Sequence, residues 1–226
     1  FAARVEGLRP TTVNRVLAEA RQLQQQGRSL ISLMRGQPDT PTPTHIVKAA
    51  ERPLHAGRTG YPDNQGEPAL REAVGLKLQR DNGLAYDPAH EVLITDGATC
   101  GISTALAVLA EPGCDVLLPD PIYDAYGPVI ALWGGRAVHV PSTIREGRFM
   151  LDLASLEAAC TPQARLLLLN TPWNPVGTVL DRHELAELMA FVLQRRLMVL
   201  SDEIYETLIY DGRRQVSPAA LGSEAR

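Results

Sequence analysis

Asn174 and Asp202 are the side chains in this 226-residue sequence best placed to do chemistry. Asn174 sits in the string Asn170-Thr171-Pro172-Trp173-Asn174-Pro175-Val176-Gly177. Its prolines and glycine fix the backbone path and hold one amide at a set position. Asp202 stands three residues before Tyr205 in Ser201-Asp202-Glu203-Ile204-Tyr205. Each string directly follows an apolar run, Arg165 to Leu169 and Leu197 to Leu200, of the kind that forms strands buried on both faces of a parallel sheet. One amphipathic helix lies between them, so the unit reads strand–helix–strand. A right-handed crossover then brings both residues to the carboxyl edge of the sheet, where α/β proteins bind ligands. An ionised carboxylate at the end of a buried strand is costly unless a cation or donors meet it. Taken alone, a strand-end aspartate more often caps the next segment, and an Asn-Pro turn is among the commonest loop signals.

The elements that must position these groups follow from periodicity. Thr11-Thr12 caps an amphipathic helix carrying Val13, Val16, Leu17, Ala20 and Leu23, which ends at Gly27. Leu30 to Leu33 predicts a short strand running into the turn Gly36-Gln37-Pro38-Asp39. Ile46, Val47, Ala49 and Ala50 mark a second helix, which Pro53 should shorten or kink. Residues 57–66 form a loop holding Tyr61-Pro62; Pro68 then starts a helix stopped by Asn82-Gly83. From residue 91 strands and helices alternate. The strand Val92 to Ile94 leads into Gly97-Ala98-Thr99 and a small-residue helix. A strand at Val116 to Leu118 leads through Pro121 into a helix with Tyr123 and Tyr126, and Ala137 to Val140 is a further strand. Leu153 to Ala159 reads as helix, and Asp181 with Glu184 as a capping box for a helix with Leu185, Leu188, Met189 and Val192 on one stripe. Such alternation predicts a three-layer α/β/α fold with a mainly parallel sheet. Where its first strand gives way to a helix, Gly97-Ala98-Thr99 offers free backbone N–H groups and a dipole that favour an anion.

Composition narrows the function classes. The 45% hydrophobic and 21% charged content suits a globular protein with a real core, and the net charge of −4 offers no basic face for nucleic acid or anionic membrane. Cys100, Cys114 and Cys160 lack metal-type spacing, so no metal centre is expected, and their odd number argues against a disulfide framework and for a reduced, cytoplasmic setting. No stretch reaches membrane-spanning length, and charge throughout the first thirty residues argues against a signal peptide.

In this order and spacing, the strings resemble the pyridoxal-phosphate aminotransferases of fold type I, the aspartate aminotransferase-like family, over essentially the whole chain. The resemblance implies pyridoxal 5'-phosphate as cofactor and transfer of an amino group from an L-amino acid to a 2-oxo acid. It gives Asp202 the pyridine nitrogen and Tyr205 the phenolic oxygen. Asn174 takes that same oxygen and the substrate carboxylate, and Gly97, Ala98 and Thr99 take the phosphate. Tyr123, after Asp120-Pro121-Ile122, is the aromatic that stacks on the ring, though an aromatic there equally often only packs. Gly36 meets the substrate carboxylate; Gln37 and Thr40 depart from the family's usual glutamate and aromatic. Tyr61 reaches across a homodimer to the partner's phosphate. Arg35 and Trp173 flank the pocket. Residues 1–40 correspond to an N-terminal arm with part of a small domain, and 41–226 to the large cofactor-binding domain, incomplete on its C-terminal side.

One family element has no counterpart. Only Lys48 and Lys77 are lysines, and neither matches the lysine that holds the cofactor as a Schiff base and moves the proton. In the family that lysine follows the Asp-x-x-Tyr segment by a few dozen residues. The 226 residues are therefore expected to be the N-terminal part of a longer enzyme, inactive by themselves. A C–S β-lyase or cyclopropane-forming synthase of the same fold would share Asn174, Asp202 and Tyr205. A non-catalytic, aminotransferase-like binding domain of a regulator would be preceded by a basic helix-turn-helix, which this sequence does not show.

Overall fold

A computed structural model describes residues 2–8, 11–33, 36 and 38–222. Helix α1 (Ala3–Glu6) is a single turn, and α2 (Thr12–Gln25) starts under Thr11, whose hydroxyl accepts from Asn14 N at 3.3 Å. No strand forms at Leu30 to Leu33. Ile31 and Leu33 are 92% and 90% exposed, so among the described residues the apolar run has neither a ladder partner nor a face to cover it. Helix α3 (Thr44–His55) is not cut at Pro53 but runs on for two residues, since the ring falls within its last turn. Helix α4 (Pro68–Lys77) has proline in its first turn and passes into a π-helical turn (Leu78–Asn82) that Gly83 ends at φ 68°.

Val92 to Ile94 is likewise not a strand. It runs without a sheet partner among the described residues, and Ile94 N donates only to the Gln65 carbonyl, at 2.9 Å. Gly66 stands against it: at φ +99°, a Cβ on Gly66 would lie 2.5 Å from the Ile94 side chain. Arg71 on α4 completes this corner. Its buried guanidinium donates to the carbonyls of Gly66 at 3.1 Å and Pro88 at 2.8 Å.

The sheet begins after α5 (Ala98–Leu109), with β1 (Asp115–Asp120), α6 (Tyr126–Leu132) and β2 (Arg136–Pro141). Tyr123 precedes α6 rather than lying in it, because the turn after Pro121 delays the helix by three residues. A hairpin that the sequence reading does not contain follows, β3 (Thr143–Arg145) and β4 (Arg148–Met150). Helix α7 (Leu153–Ala159), β5 (Ala164–Asn170), α8 (Arg182–Arg195) and β6 (Met198–Asp202) complete the unit, and a 3₁₀ turn (Pro218–Leu221) packs on α8. Asp181 and Glu184 form the expected capping box of α8.

The four strands of the main sheet are all parallel, in the order β2-β1-β5-β6, and the β3–β4 hairpin stands apart from them. Alternate residues of β1 and β5 feed two cores. Leu117, Leu167 and Leu169 pack with Leu156 of α7 and Leu185, Leu188 and Val192 of α8. Val116, Leu118, Leu166 and Leu168 pack with Ile102 and Leu106 of α5 and Tyr126 and Ile130 of α6. Period-two alternation in strands covered by helices on both faces is what three layers require.

At the opposite end of the sheet from the ligand edge, Asp115 is fully buried at the start of β1. Arg136 donates to both of its oxygens at 2.6 Å, and Thr161 Oγ1 donates to Oδ2 at 2.6 Å. The Arg136 guanidinium, helped by Thr161, holds the Asp115 carboxyl below the ordinary 3.8. Its contribution to stability is therefore complete above that ordinary value and is lost as pH falls through the lower value of the folded chain. Asp115→Asn is expected to flatten the acid side of stability against pH, measured by urea unfolding between about pH 5 and about pH 2. An unchanged slope would assign the acid sensitivity elsewhere.

Candidate active site

The register of β5 against β6 pairs Asn170 with Asp202, so the turns leaving both strands open at one edge. Asn170 ties them together. Its Nδ2 donates to the Asp202 carbonyl at 3.0 Å, and its Oδ1 accepts from Asn174 N at 2.7 Å. The loop between is closed by Gly177 N on the Trp173 carbonyl at 2.7 Å and Trp173 N on the Thr178 carbonyl at 2.9 Å. Its chemical group is thus presented by a short, internally bonded path. Asn174 Nδ2 donates to the Tyr205 hydroxyl at 3.1 Å.

Asp202 accepts on both oxygens: Oδ1 from Ile204 N at 3.1 Å, and Oδ2 from the Tyr126 hydroxyl at 2.6 Å. Tyr126 comes from the first turn of α6, is buried, and meets the Tyr123 ring edge to face with centroids 5.4 Å apart. Burial, and then the bond to Asp202, push the Tyr126 phenol far above its ordinary value. It stays a donor, and Asp202 its acceptor. The sequence reading placed this residue in a helix but gave it no role at the site. Its only signal was its place three residues after Tyr123, one turn along the same short helix start.

The turn Gly97-Ala98-Thr99 arrives from another direction. Gly97 precedes α5 at φ +81°, a left-handed conformation that side chains rarely adopt. It sets the first N–H groups of a twelve-residue helix, which have no intrahelical partner, toward the same opening.

These groups line one cavity of about 520 Å³. It is bounded by Gly36, Gly97, Ala98, Thr99, Tyr123, Asn174, Asp202 and Tyr205, all of them singled out in the sequence. Val13, Asn14 and Leu17 of α2 form a further wall, with Asp96, Ile102, Tyr126 and Ile204, none of which the sequence reading had proposed. Tyr61 is fully exposed and outside this cavity. Trp173 does not flank it either. Its ring is buried, with the indole N–H on the Pro121 carbonyl at 2.7 Å, and it supports the loop from beneath. Arg35 and Gln37 lie outside the described residues. Lys77 lines a different cavity, where it pairs with Glu206, and Lys48 lies on α3.

The donor set suits a flat, anionic heterocycle: an anion site at a helix start, an aromatic wall, a carboxylate for a ring cation, and an amide and a phenol for a ring oxygen. Among the described residues no cluster of three or more His, Cys, Asp or Glu could hold a metal ion. Nor is any described helix long and apolar enough to cross a membrane.

Aromatic-amino-acid aminotransferase 2 of Thermococcus litoralis is 38% identical over 218 residues, which are 96% of this chain and 55% of that protein. Aspartate aminotransferase from Thermus thermophilus with maleate superposes with a TM-score of 0.91 at 33% identity, over 98% of this chain and 57% of that one. N-Succinyldiaminopimelate aminotransferase from Mycobacterium tuberculosis does so with a TM-score of 0.91 at 35% identity, over 99% and 57%. The chain thus spans little more than half the length of these relatives. Residues 28–224 match the family described as aminotransferase class I and II, and with that match over most of its length the chain belongs to the class I and II aminotransferases.

Proposed function

We propose that the protein is a pyridoxal 5'-phosphate-dependent aminotransferase, moving an amino group from an L-amino acid to a 2-oxo acid in two half-reactions. One observation carries the proposal: Asn174, Asp202, Tyr205 and the start of α5 meet in one cavity, with Tyr126 bonded to Asp202. That set fits the cofactor at each of its polar ends. When bound, pyridoxal phosphate supplies an electron sink for the charge that develops on the substrate carbon. Asp202 holds a proton on the ring nitrogen, and Tyr126 and Ile204 N fix the orientation of the carboxylate that does so. Tyr205 and Asn174 hold the ring oxygen. The backbone of Gly97 and Ala98, with Thr99 and its hydroxyl, takes the phosphate, and Tyr123 covers one ring face. Gly36 and Asn174 take the substrate carboxylate.

No lysine lines this cavity among the described residues. We assign the amine that the reaction needs to a part of the protein outside these 226 residues, in keeping with the length of the relatives. Residues 1–40 serve as an arm over the site, with α2 as its wall, and residues 41–226 as the cofactor domain. The exposed Tyr61 is assigned to a neighbouring subunit's phosphate in a homodimer. The three free cysteines suit a reduced, cytoplasmic setting.

The test takes the full-length protein with pyridoxal phosphate and offers it aspartate, aromatic amino acids and N-succinyldiaminopimelate, each with 2-oxoglutarate. Glutamate formed in proportion to one of these donors is the expected outcome. Release of ammonia and thiol from sulfur amino acids, without transfer, would replace this reading with a lyase.

A further inference from the structure

The turn after β6 has two faces. Asp202 and Tyr205 line the cavity described above, while Glu203 and Glu206, each one residue further along, line a second cavity of about 400 Å³. On this reverse face both carboxylates are tied down. Glu203 accepts from Ser201 Oγ at 2.9 Å and from Ser217 Oγ at 2.8 Å. Glu206 is held on both oxygens: Lys77 Nζ is ion-paired with Oε1, and Asn82 Nδ2 donates to Oε2 at 3.0 Å. Lys77 also donates to Asn82 Oδ1 at 2.9 Å, which closes a three-membered ring of partners. Lys77 ends α4 and Asn82 ends the π-helical turn, so a distant part of the chain grips the residue next to Tyr205.

Asp202 and Glu203 anchor the turn before Tyr205, through Tyr126 and Ser217, and the grip on Glu206 anchors it directly after. The Tyr205 hydroxyl meets Asn174, its carbonyl accepts from Leu208 N at 2.8 Å, and Glu206 N donates to the Glu203 carbonyl at 3.0 Å. The last two of these bonds close the turn upon itself. They do not tie it to the helices behind. Burial works against charge on Glu206, but Lys77 and Asn82 overcome it and hold that carboxyl below its ordinary range. A partly buried acid with both oxygens engaged is a fixed point rather than a solvated side chain.

We propose that Lys77 is a positioning residue for Tyr205: acting through Glu206, and with Asn82, it fixes the turn that sets the Tyr205 hydroxyl against Asn174. The role uses one of only two lysines in the chain, and one that the cofactor cavity leaves out. It rests on the proposed function only for what Tyr205 then touches.

Two measurements test it, one of them free of cofactor. In the full-length protein without cofactor, labelled with ¹³C at the tyrosine ring, the Tyr205 resonance is assigned by its loss in Tyr205→Phe. Lys77→Met is expected to move or broaden that resonance and leave Tyr126 in place. Lys77→Arg, which restores the charge, and Arg80→Met, which breaks only the exposed pair with Asp81 on the same turn, are expected to leave both in place. Glu206→Gln serves if Lys77→Met fails to fold. In the full-length protein saturated with pyridoxal phosphate, Lys77→Met should shift the pH midpoint of the cofactor's visible absorption by about one unit, the scale of one lost hydrogen bond. In a Tyr205→Phe background it should add nothing. A Tyr205 resonance unmoved by Lys77→Met, or a shift that persists undiminished without the Tyr205 hydroxyl, would overturn the proposal. Movement of the resonance in a protein that never binds pyridoxal phosphate would leave the positioning intact and remove the cofactor reading alone.

Discussion

Asp202→Asn is expected to lower kcat of the full-length, pyridoxal-phosphate-loaded protein by between about 10² and 10⁴. The substitution keeps the size of the side chain and one oxygen for the Tyr126 hydroxyl, which lies at 2.6 Å from Oδ2. What it removes is the negative charge. A ring cation facing a neutral amide in a partly enclosed cavity loses its counter-charge. Breaking such a pair costs about 3–5 kcal/mol when the other charge stays buried, and each 1.36 kcal/mol is tenfold in rate. The loss should fall on kcat and kcat/KM together, since the proton that Asp202 would hold on the ring nitrogen is needed for the chemical step rather than for binding the substrate. Asp202→Glu restores charge but pushes the carboxylate past the donors of Tyr126 and Ile204 N, so only partial recovery is expected. Steady-state kinetics with the best amino donor checks both. Equal kcat in Asp202→Asn and the unaltered protein would refute the assignment of Asp202 to the ring nitrogen, whatever the reaction proves to be.

The largest expected effect on stability belongs to Leu167→Ala. Leu167 lies on the inner strand β5, is fully buried, and packs in the core between the sheet and α7 and α8. Rigid backbone on both sides of β5 limits collapse around the missing atoms, so both the transfer loss and the cavity persist. A cost of about 3 kcal/mol follows, or a fall in Tm of about 6–12 °C for a chain of this size. Arg165→Ala, two residues away on an exposed position of the same strand, should stay within about 0.5 kcal/mol. Thermal unfolding of the two variants side by side decides the matter, and similar melting for both would mean that β5 is not the centre of the core.

Asn174 and Asp202 were legible in the sequence because their geometry is local. Two apolar runs and one intervening helix determine a crossover, and a crossover determines which residues share an edge. Gly97 was legible for a similar reason, as a glycine between an apolar run and a helix. Tyr126 was not, because its role depends on how α6 lies across the sheet, and no spacing within α6 encodes that. The runs at Leu30 and Val92 have the composition of strands but no ladder neighbour among the described residues, and a strand exists only as one of a pair. The hairpin of β3 and β4 went unread for the opposite reason. Its segments are short and carry arginines, while its signal was the Glu146-Gly147 turn, with φ of 51° and 75°. The wall of Val13, Asn14 and Leu17 shows the same limit, since α2 reads as an ordinary amphipathic helix until its neighbours are known.

The corner where Gly66 meets Ile94 sets a rule for how this chain can diverge. A methyl group at position 66 would meet the isoleucine, so the first remedy is a smaller residue at 94. That remedy is insufficient, because the backbone at 66 remains left-handed and penalises any L side chain in the cleared space. Compensating exchanges that rescue crowded pairs elsewhere are therefore closed here, and drift must leave position 66 alone.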